Sequence, residues 1–215
     1  MLIERYGLDS AKYFLLREFS FGQDAIFSPE GFVERFNFDL CNDLGNLLNR
    51  TIGMINKYFG GVIPKYEGTV NVQDERLEQE TADLINKIEK EYDLYHINTA
   101  LEEIWKIISM TNKYIDETAP WVLVKEEKTR ELASVMYHLA ENLRKIGILL
   151  KPIMDNTSKE ILSQLGIDDE KLVTWESLKQ NNLLQNEIKV IEKGNPLFVR
   201  LDMNEEAQYI KEKMK

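Results

Sequence analysis

The sequence is poor in the residues that turn a chain sharply. Eleven Gly and five Pro make up about 7% of its 215 residues, against the roughly 12% these two average. A β-sandwich or barrel needs many tight turns, so this scarcity points to long helices. A single cysteine, Cys41, excludes an internal disulfide, and one Cys with two His leaves too few ligands for a structural zinc site. No stretch approaches the ~18 apolar residues of a membrane span. The opening Met1-Leu2-Ile3-Glu4-Arg5 lacks the apolar run of a signal peptide. Positive charge is also short: 27 basic against 37 acidic residues give a net charge of −10. That deficit excludes a general nucleic-acid coat, which needs a basic excess. It leaves room for a small local RNA site. What is present, 43% hydrophobic and 30% charged residues, is ordinary globular composition and enough for a real core. The expectation is a soluble, cytoplasmic, mainly helical protein without a membrane partner.

Helical periodicity organises the chain. Ser28-Pro29 is a helix start, a hydroxyl to cap free amides followed by Pro at the first helical position. From Val33, Phe36 and Leu40 through Leu44, Leu48, Ile52, Ile55 and Phe59, apolar residues recur every three or four positions, which predicts one long amphipathic helix. Gly60-Gly61 stops it, and 61–73 reads as a loop. Further helices are predicted within 9–19, from 74 through Tyr92, from Ile97 to Ile115, and from about Glu127 to Leu150. Ala119-Pro120-Trp121 breaks the third of these from the fourth, because Pro disfavours helical geometry in the residue before it. Thr157 with Glu160 fits a capping box for a short helix ending at Gly166. The last fifty residues are less regular, with extended segments predicted in 188–201 and a terminal helix in 204–214. The whole is an all-α helix bundle with a less regular C-terminal segment. It divides as a single domain 1–215: a connection over 1–27, a bundle over 28–165 and a return segment over 166–215.

The sequence offers no catalytic or metal site. It holds no Gly-rich phosphate loop, no nucleophile elbow and no paired His on one helix face. His138 reads as a helix-face residue, His96 as a cap or solvated group, and Cys41 as a small buried hydrophobe. Most Asp and Glu read as solvated faces. One face of the long helix stands out. At about 100° per residue, Asn42, Asn46, Arg50, Gly53 and Lys57 fall on one side, away from the apolar stripe. Asn46 and Arg50, four apart, offer amide and guanidinium groups suited to a base edge. Gly53 lets a ligand approach the backbone. A plain wet helix face gives the same pattern. Trp121, following Pro at a helix break, is placed either to stack on a splayed base or to plug the end of the core.

Three separated segments carry a family resemblance. Residues 6–18, beginning Tyr6-Gly7-Leu8-Asp9, resemble the segment after the KMSKS loop of methionyl-tRNA synthetases. Residues 37–51, with Asn42, Asn46 and Arg50, are similar to the first long helix of that family's anticodon-binding domain. Residues 112–121, ending Thr118-Ala119-Pro120-Trp121, resemble its later Pro-Trp motif. The likeness is closest to the Firmicute type. Its bundle resembles the domain shared by the class I synthetases for Met, Val, Ile, Leu and Cys.

The resemblance implies that Asn46 and Arg50 read the first base of a CAU anticodon while Trp121 stacks on it and Pro120 supports the splayed bases. Asn42, Gly53 and Lys57 would face RNA beside them. Implied partners are the anticodon loop of methionine tRNA and the catalytic domain of the same parent chain. No cofactor is implied for this part; ATP is implied for the parent ligase. HIGH and KMSKS motifs are both absent, so the chain resembles an excised or stand-alone domain that does not activate methionine. The other reading is a helical protein–protein interaction module without RNA specificity.

Overall fold

Why 28–59 forms one rod is visible at its ends. In the computed structural model, which describes residues 1–20, 22, 24 and 26–214, Ser28 Oγ accepts a hydrogen bond from Gly31 N and Pro29 opens α3, Pro29–Arg35. Positions 21, 23, 25 and 215, at the ends of the connecting and return segments, lie outside that description. The rod continues through a π-helical segment, Phe36–Gly45, into α4, Asn46–Phe59. Gly60 ends it at φ 59°, left-handed backbone that glycine adopts without strain. Before the rod come α1, Leu2–Tyr6, and α2, Leu8–Glu18, which buries Tyr13 and Phe14 and leaves Leu15 exposed. After the rod come α5, Val72–Asp93, α6, Ile97–Thr118, α7, Pro120–Lys125, α8, Thr129–Leu150, and α9, Asp155–Gln164. Two 3₁₀ turns, Glu170–Val173 and Glu176–Lys179, precede α10, Met203–Lys213. The fold is therefore an all-α bundle, as the periodicity predicts.

The helix α8 is the axis. Every residue from Ser134 to Leu150 is buried, so neighbours surround it on all sides, as expected of a central helix. α5, α6 and α9 pack on it and contribute Ile85, Ile88, Ile104, Ile108 and Ile161 to the same buried core. The two ends of the chain close on each other. Arg5 makes a two-pronged ion pair with Glu206, which also accepts from the Tyr6 hydroxyl at 2.6 Å. The Asn37 amide donates to Leu201 O and accepts from Leu201 N, both at 2.9 Å. Phe36 meets Phe198 edge-on. Among the described residues, the extended segments expected in 188–201 reduce to one isolated antiparallel bridge, Val62 with Lys189.

The capping box expected at Thr157 and Glu160 does not form. The cap comes instead from α2: Asp9 accepts from Thr157 N at 2.7 Å and Thr157 Oγ1 at 2.9 Å. A buried carboxylate from 148 positions away satisfies the amides that α9 leaves free. Asp9→Ala is expected to cost about 1–2 kcal/mol of stability, the range of a lost N-cap. Urea unfolding checks it; an unchanged midpoint would show the cap to be idle.

Several acids predicted to be solvated are buried instead. Asp74, at 0% exposure, accepts from Tyr114 and Ser134 hydroxyls at 2.5 and 2.6 Å and from Val70 N. His138 is likewise buried: Nδ1 donates to Ser134 O at 2.7 Å and Nε2 faces Glu78 Oε1 at 2.9 Å. Burial pulls the imidazole pKa down, but the Glu78 hydrogen bond, the Ser134 carbonyl and the Asp74 charge outweigh it and leave the pKa raised. A raised folded pKa stabilises fully below the unfolded value of about 6.5 and fades as pH climbs through the folded one. The stability difference between wild type and His138→Asn should therefore be larger at pH 6 than at pH 9. Equal differences from urea melts at the two pH values would rule out a charged His138.

Candidate nucleic-acid interface

Along α4, Asn46, Arg50, Gly53 and Lys57 form an exposed row on the face opposite Leu47, Leu48, Ile52 and Ile55. A side chain added at Gly53 would meet nothing within 4 Å, so the backbone there is open to approach. Asn42 does not join this row. It sits in the π-helical segment, where i→i+5 bonding slows the rotation per residue and makes a constant-pitch wheel fail. There it is half-buried, and its Oδ1 accepts from Arg200 at 3.4 Å.

Across from the row lies the end of α6. Arg50 Nη2 donates to Asp116 Oδ1 at 2.9 Å, with both side chains substantially exposed. Exposed pairs of this kind are worth about 0–1 kcal/mol, so the guanidinium is held in place yet readily released. Asn112 Nδ2 donates to Asp43 O and fastens α6 to the rod above that contact. The structure thus brings Arg50 beside the stretch that leads directly to Pro120-Trp121.

The presentation of Trp121 follows from the backbone. Ala119 adopts φ 41°, a left-handed conformation that costs a non-glycine residue about 1–2 kcal/mol. It reverses the chain between α6 and α7. Pro120, buried, takes the first position of α7, where its missing N–H costs nothing. Two residues past the end of the six-residue α7 comes a second left-handed residue, Glu127, at φ 56°. Bracketed in this way, the indole is 45% exposed. The other two tryptophans donate their Nε1–H, Trp105 to Asp39 O and Trp175 to Glu89. The Trp121 Nε1–H has no such acceptor among the described residues. Its ring is an available apolar face, not a plug in the core.

Nothing reactive lies beside it. Burial pushes the Cys41 thiol up to about 11, which keeps it an inert hydrophobe. His96 opens α6 with Nδ1 on Glu91 at 2.9 Å. Among the described residues no cluster of His, Cys, Asp and Glu is arranged to hold a metal ion, and no helix is long and apolar enough to cross a membrane.

Fold and surface together define a helical recognition domain, and the family described as the anticodon binding domain of methionyl tRNA ligase matches residues 63–213. A second family, tRNA synthetases class I (M), matches residues 1–52. The chain belongs to the methionyl-tRNA ligase family and comprises its anticodon-binding domain. It is 54% identical over 215 residues to methionine–tRNA ligase 1 of Bacillus cereus. It is 52% identical over 214 residues to the methionine–tRNA ligase of Bacillus subtilis. Both matches span essentially the whole of this chain and 32% of the relative, so the chain covers about a third of their length. Among solved structures, the apo methionyl-tRNA synthetase of Mycobacterium tuberculosis superposes with a TM-score of 0.84 at 31% identity, covering 94% of this chain and 40% of that one. The same synthetase bound by methionyl-adenylate gives 0.83, covering 92% and 39%.

Proposed function

We propose that this domain recognises the CAU anticodon loop of methionine tRNA, taking the first base out of the loop and reading its edge. The observation that carries this reading is a pair of elements: the open α4 row carrying Asn46 and Arg50, tied by Asp116 to the end of α6, and the presented, unpartnered indole at the start of α7 just beyond that end. A guanidinium only donates, so Arg50 suits the adjacent acceptors O2 and N3 of cytosine and is opposed by the N3–H of uracil. The Asn46 amide both donates and accepts, and meets the same edge one helical turn earlier. Trp121 supplies the stacking face. Pro120, being buried, supports it from behind by fixing the start of α7, while Gly53 and Lys57 extend the open row and Asn42 borders it.

Recognition by edges and stacking needs few phosphate contacts, which reconciles it with the net charge of −10. The division into connection (1–27), bundle (28–165) and return segment (166–215) acts as one unit. The parent ligase would join methionine to its tRNA at the expense of ATP, with methionyl-adenylate as intermediate. Its catalytic domain would be this domain's covalent partner. Asn46→Ala is expected to narrow the preference for a CAU over a UAU stem-loop, measured by titration at one salt concentration. A phosphate contact would weaken both loops equally. That equal loss, or no loss, would remove Asn46 from the base edge.

A further inference from the structure

We propose that the recess between the C-terminal end of α8 and α9 binds a phosphate group carried on a body with an apolar face, the chemistry of a ribonucleotide. This recess lies far from the α4 row. The short α7 leads into the first residue of α8, whereas Lys151, in the lining of the recess, follows its last. The 22-residue helix between them spans about 33 Å. The two sites are therefore separate, and this one is independent of how the other reads a base.

The recess has a volume of about 440 Å³, within the range of ligand pockets. Its charged lining is two ammoniums, Lys151 and Lys159, against one carboxylate, Asp168. In a chain of net charge −10 that is a local excess of the opposite sign. Lys151 is exposed and has no ion-pair partner among the described residues. Lys159 pairs with Asp155 at 2.6 Å, but both ends are exposed, so a competing anion displaces the contact at little cost. The Lys159 hydrogen bond, with Lys151 and Lys12 nearby, holds the Asp155 carboxyl below its usual range. Three ammoniums thus gather around one acid beside the recess. Ser158 stands in the same lining, 1% exposed, and its hydroxyl has no hydrogen-bond partner among the described residues. Buried hydroxyls in folded proteins are almost always bonded. A phosphate has the oxygens to accept from this hydroxyl and from both lysines.

Much of the remaining lining is apolar: Leu162 and Ile167 are buried and Val173 is half-buried. Gly166 sets that shape. Its backbone lies at φ 72°, and a Cβ there would come within 2.0 Å of Lys189 O, so only glycine fits. The turn it makes brings Ile167 and Asp168 back to the recess that Ser158 and Leu162 line. A bare anion gains nothing from an apolar wall. A nucleoside does, and its ribose hydroxyls are donors for the Asp168 carboxylate, which only accepts. Two sources present this chemistry: a free mononucleotide and the sugar–phosphate backbone of an RNA.

The test is a titration of the ¹⁵N-labelled chain with uridine monophosphate, inorganic phosphate and uridine at one salt concentration, read by NMR at the Ser158 and Gly166 amides. The nucleotide is expected to bind more tightly than either of its parts, because it alone uses both walls. Lys151→Glu should weaken it about tenfold and Ser158→Ala about threefold, the worth of one charge-assisted and one ordinary hydrogen bond. Neither change should unfold the chain. Lys151 is exposed and unpaired, and removing an unpartnered buried hydroxyl relieves a cost, so the Ser158→Ala urea midpoint should equal or exceed that of wild type. A lower midpoint would show the hydroxyl already bonded within the fold and overturn its role as a phosphate donor. Uridine binding as tightly as its monophosphate, nucleotide binding unchanged in both variants, or no shift at these amides overturns the site. A methionine tRNA transcript added as competitor separates the two sources. Displacement of the nucleotide assigns the site to an RNA backbone, and retention assigns it to a free nucleotide.

Discussion

Arg144→Ala is expected to cost about 3–5 kcal/mol of folding stability, the loss typical when one partner of a buried ion pair is removed. Arg144 is fully buried in α8, and every face of its guanidinium is occupied. Nε and Nη2 donate to Glu141 at 2.9 and 2.6 Å, Nη2 also to Ser177 O at 3.0 Å, and Nη1 to Ser177 Oγ at 2.8 Å and to Leu172 O. Truncation leaves Glu141, 3% exposed, with only the Lys145 ammonium at 4.0 Å, and it takes the charged donor away from the Leu172 and Ser177 carbonyls of the 3₁₀ turns. The intact pair itself need not be worth that much, because desolvation offsets most of its attraction. Arg144→Met combined with Glu141→Leu should therefore recover much of the loss. Urea midpoints at unchanged m-value measure both. A loss below about 1 kcal/mol for the single variant would mean that water replaces the guanidinium at little cost. Because the pair lies within α8 and not on the α4 row, the fraction of Arg144→Ala protein that stays folded should still bind a CAU loop normally.

That network marks where sequence reading stops. The spacing of Val33 through Phe59 shows the rod and its end at Gly60, since one apolar residue per turn is a local signal. The same spacing conceals the π-helical turn, because a wheel of constant pitch assumes the rotation it is meant to test. Asn42 is displaced from the exposed row for that reason. Asp74 and Thr81 stand on the apolar stripe of α5 with Leu77, Ile85 and Ile88, and a polar residue on such a stripe signals a buried partner. The identity of that partner does not follow: Tyr114 and Ser134 are 40 and 60 positions away, as Asp9 is 148 from Thr157. Glu141, Arg144 and Lys145 look like ordinary surface charges in the sequence because the burial of α8 on all sides is a property of the assembled bundle. In the candidate site, the Asn46–Arg50 adjacency was legible from spacing. The exposure of Trp121 was not, since Pro-Trp at a break fits either a core plug or a platform. The left-handed Ala119, with no glycine to announce it, decides between them.

Trp121→Ala is expected to lose about 1–3 kcal/mol of binding to a CAU stem-loop, or roughly 5- to 150-fold in affinity. Stability should change by much less than the 3–5 kcal/mol that truncating a core Trp costs. At 45% exposure, with its N–H unpartnered among the described residues, the ring gives up little packing when removed. Trp105→Ala provides the contrast: it is buried against Tyr13 with ring centroids 4.3 Å apart, and it should destabilise strongly. Arg50→Ala should weaken CAU binding by about 1–3 kcal/mol as well, and freeing Asp116 should leave folding nearly unaffected. If Trp121→Ala unfolds the domain while its folded fraction binds normally, the indole is structural and the α4 row has lost its stacking partner.

Whether this surface reads a cytosine is tested most directly by the affinity of the wild-type chain for CAU and UAU stem-loops that differ only in that base, at one fixed salt concentration. A donor-only guanidinium beside an amide predicts a preference for CAU of about fivefold or more, the worth of one good base-edge contact. Equal affinity for the two loops, or no binding to either, would contradict it and favour a helical module that docks protein.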